Sequence, residues 1–330
     1  MAPLRSAMRA SPQNRLTPRG PMRGSAAPVQ GGTASPRDCP TIDDSIAAAG
    51  HAGGVHARTG PIAVQAPFHR ADPTMRIATW NVNSLNVRLP HLQQWAATAA
   101  PDIVALQETK LEDGKFPREA IEALGYHVAY SGQKTYNGVA VLARQPIEDV
   151  VTDLPGLDDP QRRILIATVG DLRIANLYVV NGQTVGSEKY AYKLDWLAKV
   201  TRFLEGELRN DPRLVVLGDF NIAPDDRDVH DPVAWHEQIL CSTPERDALR
   251  RMLDLGLLDS FRLLDAEPGR YSWWDYRQAG FRRDLGLRID LILASERLKA
   301  RARAATIDRT PRAWDRPSDH APALLELADD

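Results

Sequence analysis

Seven short apolar runs constrain this chain most: Arg76–Asn81, Asp102–Gln107, Gly138–Ala143, Ile164–Val169, Leu172–Val179, Leu214–Gly218 and Leu287–Ala294. Several are nearly continuous in Val, Ile, Leu and Ala. A strand with one wet face alternates apolar and polar residues, whereas a strand covered on both faces does not. Helical patterns intervene at Arg88–Ala99, Glu188–Leu208 and Pro244–Leu255. Strands and helices do not alternate strictly, and only the turn Gly170-Asp171 separates two of the runs. The pattern predicts a layered α/β domain built on two sheets, and not a doubly wound single sheet. No internal repeat of fixed period is present.

The folded texture begins at Met75. Residues 1–74 are rich in Pro, Gly, Ala and Ser and keep no hydrophobic period, so they read as a disordered N-terminal extension. The first 37 residues hold Arg but no Asp or Glu, which superficially matches a transit peptide. An unstructured extension or an upstream mis-assigned start is the preferred reading, because Met75 opens the pattern directly. The domain then covers residues 75–328. No stretch approaches the about 20 apolar residues that cross a bilayer. Two cysteines far apart, Cys39 and Cys241, argue against a disulfide framework or a zinc site and fit a reducing, cytoplasmic setting.

Net charge is −2; residues 1–74 carry eight Arg and four Asp, so the remainder stands at −6. A domain gripping long duplex is usually basic. A metal-dependent phosphodiesterase must instead concentrate carboxylates in its site, so the overall sign decides little.

Polar residues close the apolar runs abruptly. Asn81-Val82-Asn83 follows Ile77–Trp80, Gln107-Glu108-Thr109-Lys110 follows Ile103–Leu106, and Gly218-Asp219-Phe220-Asn221 follows Leu214–Leu217. Asp290 interrupts Leu287–Ala294, and Ser318-Asp319-His320 precedes the last strand. One such residue suits a turn. Five blocks of amides, carboxylates and an imidazole suit a site presented at strand ends. Oxygen donors without a Cys or His cluster favour a hard cation, Mg²⁺ or Mn²⁺. On this reading Glu108 is the primary ligand, and Asp219 takes a proton from water. Asn81 and Asn221 donate to phosphate oxygens, and Asp290 orients His320.

Trp80–Asn83, Leu106–Lys110, Gly218-Asp219-Phe220-Asn221-Ile222-Ala223-Pro224, Gly286–Asp290 and Ser318–His320 resemble, in order, the signature blocks of the exodeoxyribonuclease III (AP endonuclease family 1) branch of the endonuclease/exonuclease/phosphatase superfamily. Gly132-Gln133-Lys134, Gly138-Val139-Ala140 and Gln161-Arg162-Arg163 share the likeness, which spans about Met75 to Leu327. The resemblance implies a four-layer sandwich, two mixed β-sheets packed face to face and flanked by helices. It also implies metal-dependent hydrolysis of DNA phosphoesters. It makes Asn83, Glu108, Asp219, Asn221 and Asp319 the metal set and Asn81, Asn221 and Tyr178 the phosphate contacts. Tyr178, Asp219, Asn221, Asp290 and His320 become the catalytic group.

The family further implies an apolar pocket for an extruded abasic sugar at Trp273, Leu287 and Ile289, with Arg162 and Arg163 on the DNA backbone. His230, close after the Asp219 loop, is a bulky ring that would obstruct an internal abasic site and leave a 3′ end accessible. The expectation is therefore 3′-exonuclease or 3′-phosphatase activity above abasic-site cleavage, by a monomer working on duplex DNA beside the nucleoid. Inositol-phosphate phosphatases, sphingomyelinases and RNA deadenylases share the superfamily, but the aromatic stretch Tyr271–Tyr276 and the Gln107–Lys110 block favour DNA repair. A nuclease-like binding protein without catalysis would require a decayed site, and every catalytic position here carries a suitable residue.

Overall fold

The computed structural model describes residues 74–156 and 159–329. Apart from Thr74, the segment expected to be disordered lies outside these residues, as does Cys39. In chain order the first half contains β1 (Thr74–Asn81), α1 (Leu85–Ala99), β2 (Ile103–Gln107), α2 (Arg118–Glu122), β3 (His127–Ser131), β4 (Val139–Ala143), β5 (Ile147–Val151), β6 (Ile164–Val169) and β7 (Leu172–Tyr178). Then follow α3 (Glu188–Asn210), β8 (Leu214–Asp219), α4 (Thr243–Leu253), β9 (Leu257–Asp259), α5 (Ser260–Leu264), β10 (Trp273–Trp274), β11 (Gly286–Leu287), β12 (Asp290–Ser295), β13 (Ala302–Ile307) and β14 (Ala323–Ala328).

Two six-stranded sheets result, ordered β13-β14-β1-β2-β4-β3 and β5-β6-β7-β8-β12-β9. Each is mixed: β1 with β2 and β7 with β8 are parallel, and neighbours such as β1 with β14 and β8 with β12 are antiparallel.

The continuous apolar runs now have their reason. Ile77, Ile103, Ala105, Val139 and Val141 meet Leu165, Ala167, Ile174, Val215 and Leu217 in one core between the sheets. The intervening residues Ala78, Trp80, Val104, Leu106 and Leu142 face outward onto Leu92 and Trp95 of α1 and Ile121 of α2. Ile166, Ala175, Leu177 and Val216 likewise pack on Trp196, Val200 and Leu204 of α3 and on Leu249 and Met252 of α4. The period of two persists, but both of its phases are buried. Helices, sheet, sheet and helices form the four layers.

One expected strand is divided. Leu287–Ala294 becomes β11, paired with β10, and β12, which begins at Asp290. Between them Arg288 is buried and leaves the ladder for ion pairs with Asp228 at 2.6 Å and Asp259 at 2.7 Å.

Strand parity places the site. The phase that turns Ile77 and Thr79 inward also turns Asn81, and the same holds for Gln107 on β2, Tyr178 on β7 and Asp219 on β8. Register then pairs Asn81 with Gln107, Tyr178 with Asp219, and Asp219 with Asp290. The inter-sheet layer is therefore apolar along most of its length and polar at one edge. Gln107 and Asn176 join the sheets there: Gln107 Nε2 donates to Thr79 Oγ1 at 2.9 Å and Asn176 Oδ1 at 2.8 Å. Asn176 Nδ2 in turn donates to the carbonyls of Leu106 and Ala140, both at 2.9 Å.

Candidate active site

Asp219 is the centre of this edge. Its Oδ2 accepts from Asn81 Nδ2 at 2.9 Å and Asn221 Nδ2 at 3.1 Å, and Oδ1 accepts the Asn221 amide at 2.9 Å. His320 Nε2 lies 3.8 Å from Oδ2. Burial pushes this carboxyl up to about 7, with the protonated His320 pulling the other way. A carboxylate raised toward neutrality is suited to taking a proton.

Across the Asn81 amide stands Glu108. Its Oε1 accepts from Asn81 Nδ2 at 3.0 Å and the Tyr178 hydroxyl at 2.8 Å, and Lys110 Nζ sits 2.7 Å from Oε2. Burial raises the Glu108 carboxyl, but the Lys110 charge and the three donors hold it below the usual range. Burial also keeps the Tyr178 phenol protonated, reinforced by Glu108. Lys110 Nζ donates to Asn83 Oδ1 at 2.6 Å, and Asn83 Nδ2 donates to Asp319 Oδ1 at 2.8 Å. Trp273 Nε1 donates to Asp319 Oδ2 at 3.0 Å.

The third group is an Asp–His pair: His320 Nδ1 lies 2.9 Å from Asp290 Oδ2. Ser272 fixes both sides of it. Its hydroxyl accepts the Ile289 and Asp290 amides at 3.1 and 3.0 Å, and its carbonyl accepts the Ala321 amide at 2.7 Å.

Local backbone geometry is unusual at these strand ends. Asn83, Glu108 and Asn221 have φ of 43°, 53° and 49°, a left-handed conformation seldom adopted outside glycine. Such residues persist only where the surroundings over-determine them, and they gather at functional sites. Gly218 has φ 146° and lies so close to β7 that a Cβ would stand 1.8 Å from the Leu177 carbonyl oxygen. Only glycine lets β8 deliver Asp219 beside Tyr178.

Glu108, Asn83 and Asp319 supply the oxygens that suit a hard cation. The ammonium of Lys110 already sits between Glu108 Oε2 and Asn83 Oδ1, so these two atoms accept positive charge there. Asp219, Asp290 and His320 also bring ligand atoms within 4.8 Å of one another. His320 Nδ1 is nevertheless committed to Asp290, and flanking carboxylates hold the ring protonated against the opposing effect of burial. That trio thus sets acid–base groups beside donor atoms that could hold a metal ion.

The structure thus gathers Asn81, Asn83, Glu108, Tyr178, Asp219, Asn221, Asp290, Asp319 and His320. Arg163 stacks on Tyr178, its guanidinium 4.5 Å from the ring centre, while Arg162 pairs with Asp153 at 2.7 Å. Trp273 lines an open cavity of about 340 Å³ with His230, Trp235, Asp275, Arg277, Gln278, Gly280 and Leu285. Leu287 and Ile289, expected in a sugar pocket with Trp273, are not among its lining residues. They are buried with Ala223, Val229, Leu240 and Cys241 in a cluster against which Trp273 packs, and Leu287 stands opposite Trp273 in the β10–β11 pair. Sequence reasoning passed over Lys110, Ser272 and Arg88 as site residues. Arg88 donates to the Asn83 carbonyl at 2.6 Å and the Pro317 carbonyl at 2.8 Å, and its place on the first turns of α1, directly after Asn83, was the available signal.

The profile of the Endonuclease/Exonuclease/phosphatase family matches residues 78–320, a span that holds every residue gathered above. The chain belongs to this family. Within it, exodeoxyribonuclease III of Haemophilus influenzae is 36% identical over 266 residues, 77% of this chain and all of that one. The exodeoxyribonuclease of Bacillus subtilis is 31% identical, covering 76% of this chain and 98% of its own length. Among solved structures, the 3′ phosphatase NExo from Neisseria, bound to a product DNA hairpin, superposes with a TM-score of 0.76 at 50% identity, covering 77% of this chain and all of that one. An AP endonuclease from Archaeoglobus fulgidus gives 0.75 at 36% identity, with 78% and 100% covered.

Proposed function

We propose that this chain is a divalent-metal-dependent DNA-repair hydrolase whose main work is at 3′ ends, as a 3′-phosphatase and 3′–5′ exonuclease. The observation that carries the reading is the single array at the sheet edge: the Asn81 amide bridges Glu108 and Asp219 at 3.0 and 2.9 Å, and His320, paired with Asp290 at 2.9 Å, stands 3.8 Å from Asp219. Such a set can hold a cation, take a proton from water and donate to a phosphate oxygen in one place.

Glu108 with Asn83 and Asp319 would hold Mg²⁺, or Mn²⁺ in its place, with the Asp219 carboxylate and the Asn221 amide oxygen completing the set of oxygen donors. When bound, the ion neutralises charge on the phosphoryl oxygens. Asp219 accepts the proton of the attacking water. His320, oriented by Asp290, faces the phosphate with a charged donor, and Asn81, Asn221 and Tyr178 offer neutral ones. Arg162 and Arg163 meet backbone phosphates beyond Tyr178.

The preference for 3′ ends rests on His230. Its Nδ1 lies 3.2 Å from the Gly286 carbonyl oxygen, and its ring meets Trp235 edge-on at 6.3 Å in the cavity beside Trp273. A ring fixed there narrows the space that an extruded internal sugar requires. The likeness to a 3′ phosphatase at 50% identity points the same way. The catalytic domain of residues 75–328 acts as a monomer in the cytoplasm, beside the nucleoid. No helix among the described residues is long and apolar enough to cross a membrane.

The test offers labelled duplexes bearing a recessed 3′-hydroxyl, a 3′-phosphate or an internal abasic site, with Mg²⁺ or with chelator. Metal-dependent turnover led by the two 3′ substrates is expected. Turnover that survives chelation, or appears only on non-nucleic phosphoesters, overturns the proposal.

A further inference from the structure

Lys193 lies on α3, outside every motif considered so far, and is fully buried. A lysine ammonium has three donors and no acceptor, so burying it requires three partners. All three are present. Nζ donates to the Asn221 carbonyl at 2.7 Å, to the Asn181 carbonyl at 3.1 Å, and to Glu245 Oε1. Glu245, on α4, is equally enclosed and equally satisfied. Its carboxylate accepts the Leu240 amide at 3.2 Å, the Ser242 amide at 3.1 Å and the Ser242 hydroxyl at 2.6 Å.

Two of the Lys193 partners belong to the loops that carry the site. Asn221 holds a left-handed backbone, so its carbonyl direction is not fixed by regular structure. The Asn221 side chain donates to Asp219 Oδ2, and its Oδ1 accepts from Asn181 Nδ2 at 3.0 Å. The loop at Asn181 is shaped around the same lysine: Gly182 has φ +92°, and a Cβ there would stand 3.1 Å from Lys193 Cδ. The chain thus places one ammonium behind two asparagines, and one of these contacts the candidate base.

We infer that Lys193 is a positioning residue for phosphoester hydrolysis: its ammonium clamps the Asn181 and Asn221 carbonyls and thereby aims the Asn221 amide at Asp219 and at substrate. Glu245 keeps that ammonium charged and in place. A buried ion pair adds little to stability compared with well-packed apolar residues, whereas removing one partner alone is strongly destabilising. The pair is therefore better accounted for by the direction it imposes on the two loops than by stability.

This difference supplies the test, which rests on the nuclease reading above. Wild type, Lys193→Met, the double variant Lys193→Met with Glu245→Met, and Lys193→Arg are compared by thermal melting and by steady-state release from a 3′-phosphate duplex in Mg²⁺. The double variant is expected to melt near wild type and to have a kcat lower by on the order of tenfold to a hundredfold, with KM within about twofold, as for a misplaced but intact site. Lys193→Arg, which keeps charge and donors, is expected to recover most of the loss. A folded double variant with wild-type kcat overturns the inference. If it does not fold, Lys193→Arg and Lys193→Gln are compared at equal folded fraction, and equal kcat values overturn it. Wild-type protein inert on every 3′ end fails the nuclease reading instead, so the two failures are distinguishable.

Discussion

His320 Nδ1 lies 2.9 Å from Asp290 Oδ2 and 3.1 Å from Oδ1, while its Nε2 stands 3.8 Å from Asp219 Oδ2. One imidazole is flanked by two buried carboxylates. Burial alone would favour the neutral ring, but Asp290 first and then Asp219 raise its pKa to about 10. A pKa raised on folding contributes stability that is complete below the unfolded value, about 6.5, and is lost as pH climbs through the folded one. The urea midpoint of the metal-free protein should therefore decline between pH 7 and 10 more steeply in wild type than in His320→Asn. Parallel curves would contradict the charged-ring account.

Glu108 is the anion that the proposed cation site depends on, and Lys110 is its present counter-charge. Glu108→Gln keeps the shape and the hydrogen-bonding oxygen but removes the charge. The Mg²⁺ concentration for half-maximal activity is expected to rise at least about tenfold, by analogy with the affinity lost on disturbing metal sites. An unchanged Mg²⁺ curve would place the cation elsewhere.

Gly218 is a packing requirement of the β7–β8 pair, because any Cβ would collide with the Leu177 carbonyl. Gly218→Ala should cost about 3 kcal/mol or more by overpacking. Urea denaturation measures it, and a loss below about 1 kcal/mol would mean that the two strands separate more easily than their geometry indicates.

His230 narrows the cavity beside Trp273. Replacing it with glycine should raise cleavage at an internal abasic site relative to 3′-phosphate release by on the order of tenfold, the effect of admitting or excluding one group. If His230→Gly leaves that ratio unchanged, the ring is not the gate.

Much of this was legible because chemistry-bearing residues interrupt apolar runs. Asn81 and Asp219 close strands whose inner neighbours are hydrophobic, so their place at a sheet edge followed from strand parity, whereas Glu108 lies one residue beyond the inward-facing Gln107 in a left-handed backbone that parity does not foresee. Their partnerships did not follow: Asn81 and Asp219 are 138 residues apart, and only the facing of two sheets joins them. The split after Leu287 was hidden for a related reason, since Arg288 leaves the strand for Asp228 and Asp259, which lie on other elements. Leu287 and Ile289 were grouped with Trp273 by analogy, and the three do meet, Leu287 standing opposite Trp273 across the β10–β11 pair. Lys193 was invisible because a lysine in a helical pattern reads as solvated until α4 and two loops close over it. Edge strands such as β5 and β13, with mostly exposed or half-buried side chains, lack the apolar signature that marked the inner ones.

The central claim is that Asp219 and a divalent cation act together on a phosphoester at a DNA 3′ end. It is tested most directly by single-turnover phosphate release from a 3′-phosphate duplex, with Mg²⁺ or chelator, by wild type and Asp219→Asn. The account predicts release by wild type in Mg²⁺ alone, with Asp219→Asn slower by on the order of a hundredfold or more, the scale of a lost general base. Equal release by the two proteins, or release that chelation does not stop, would contradict it.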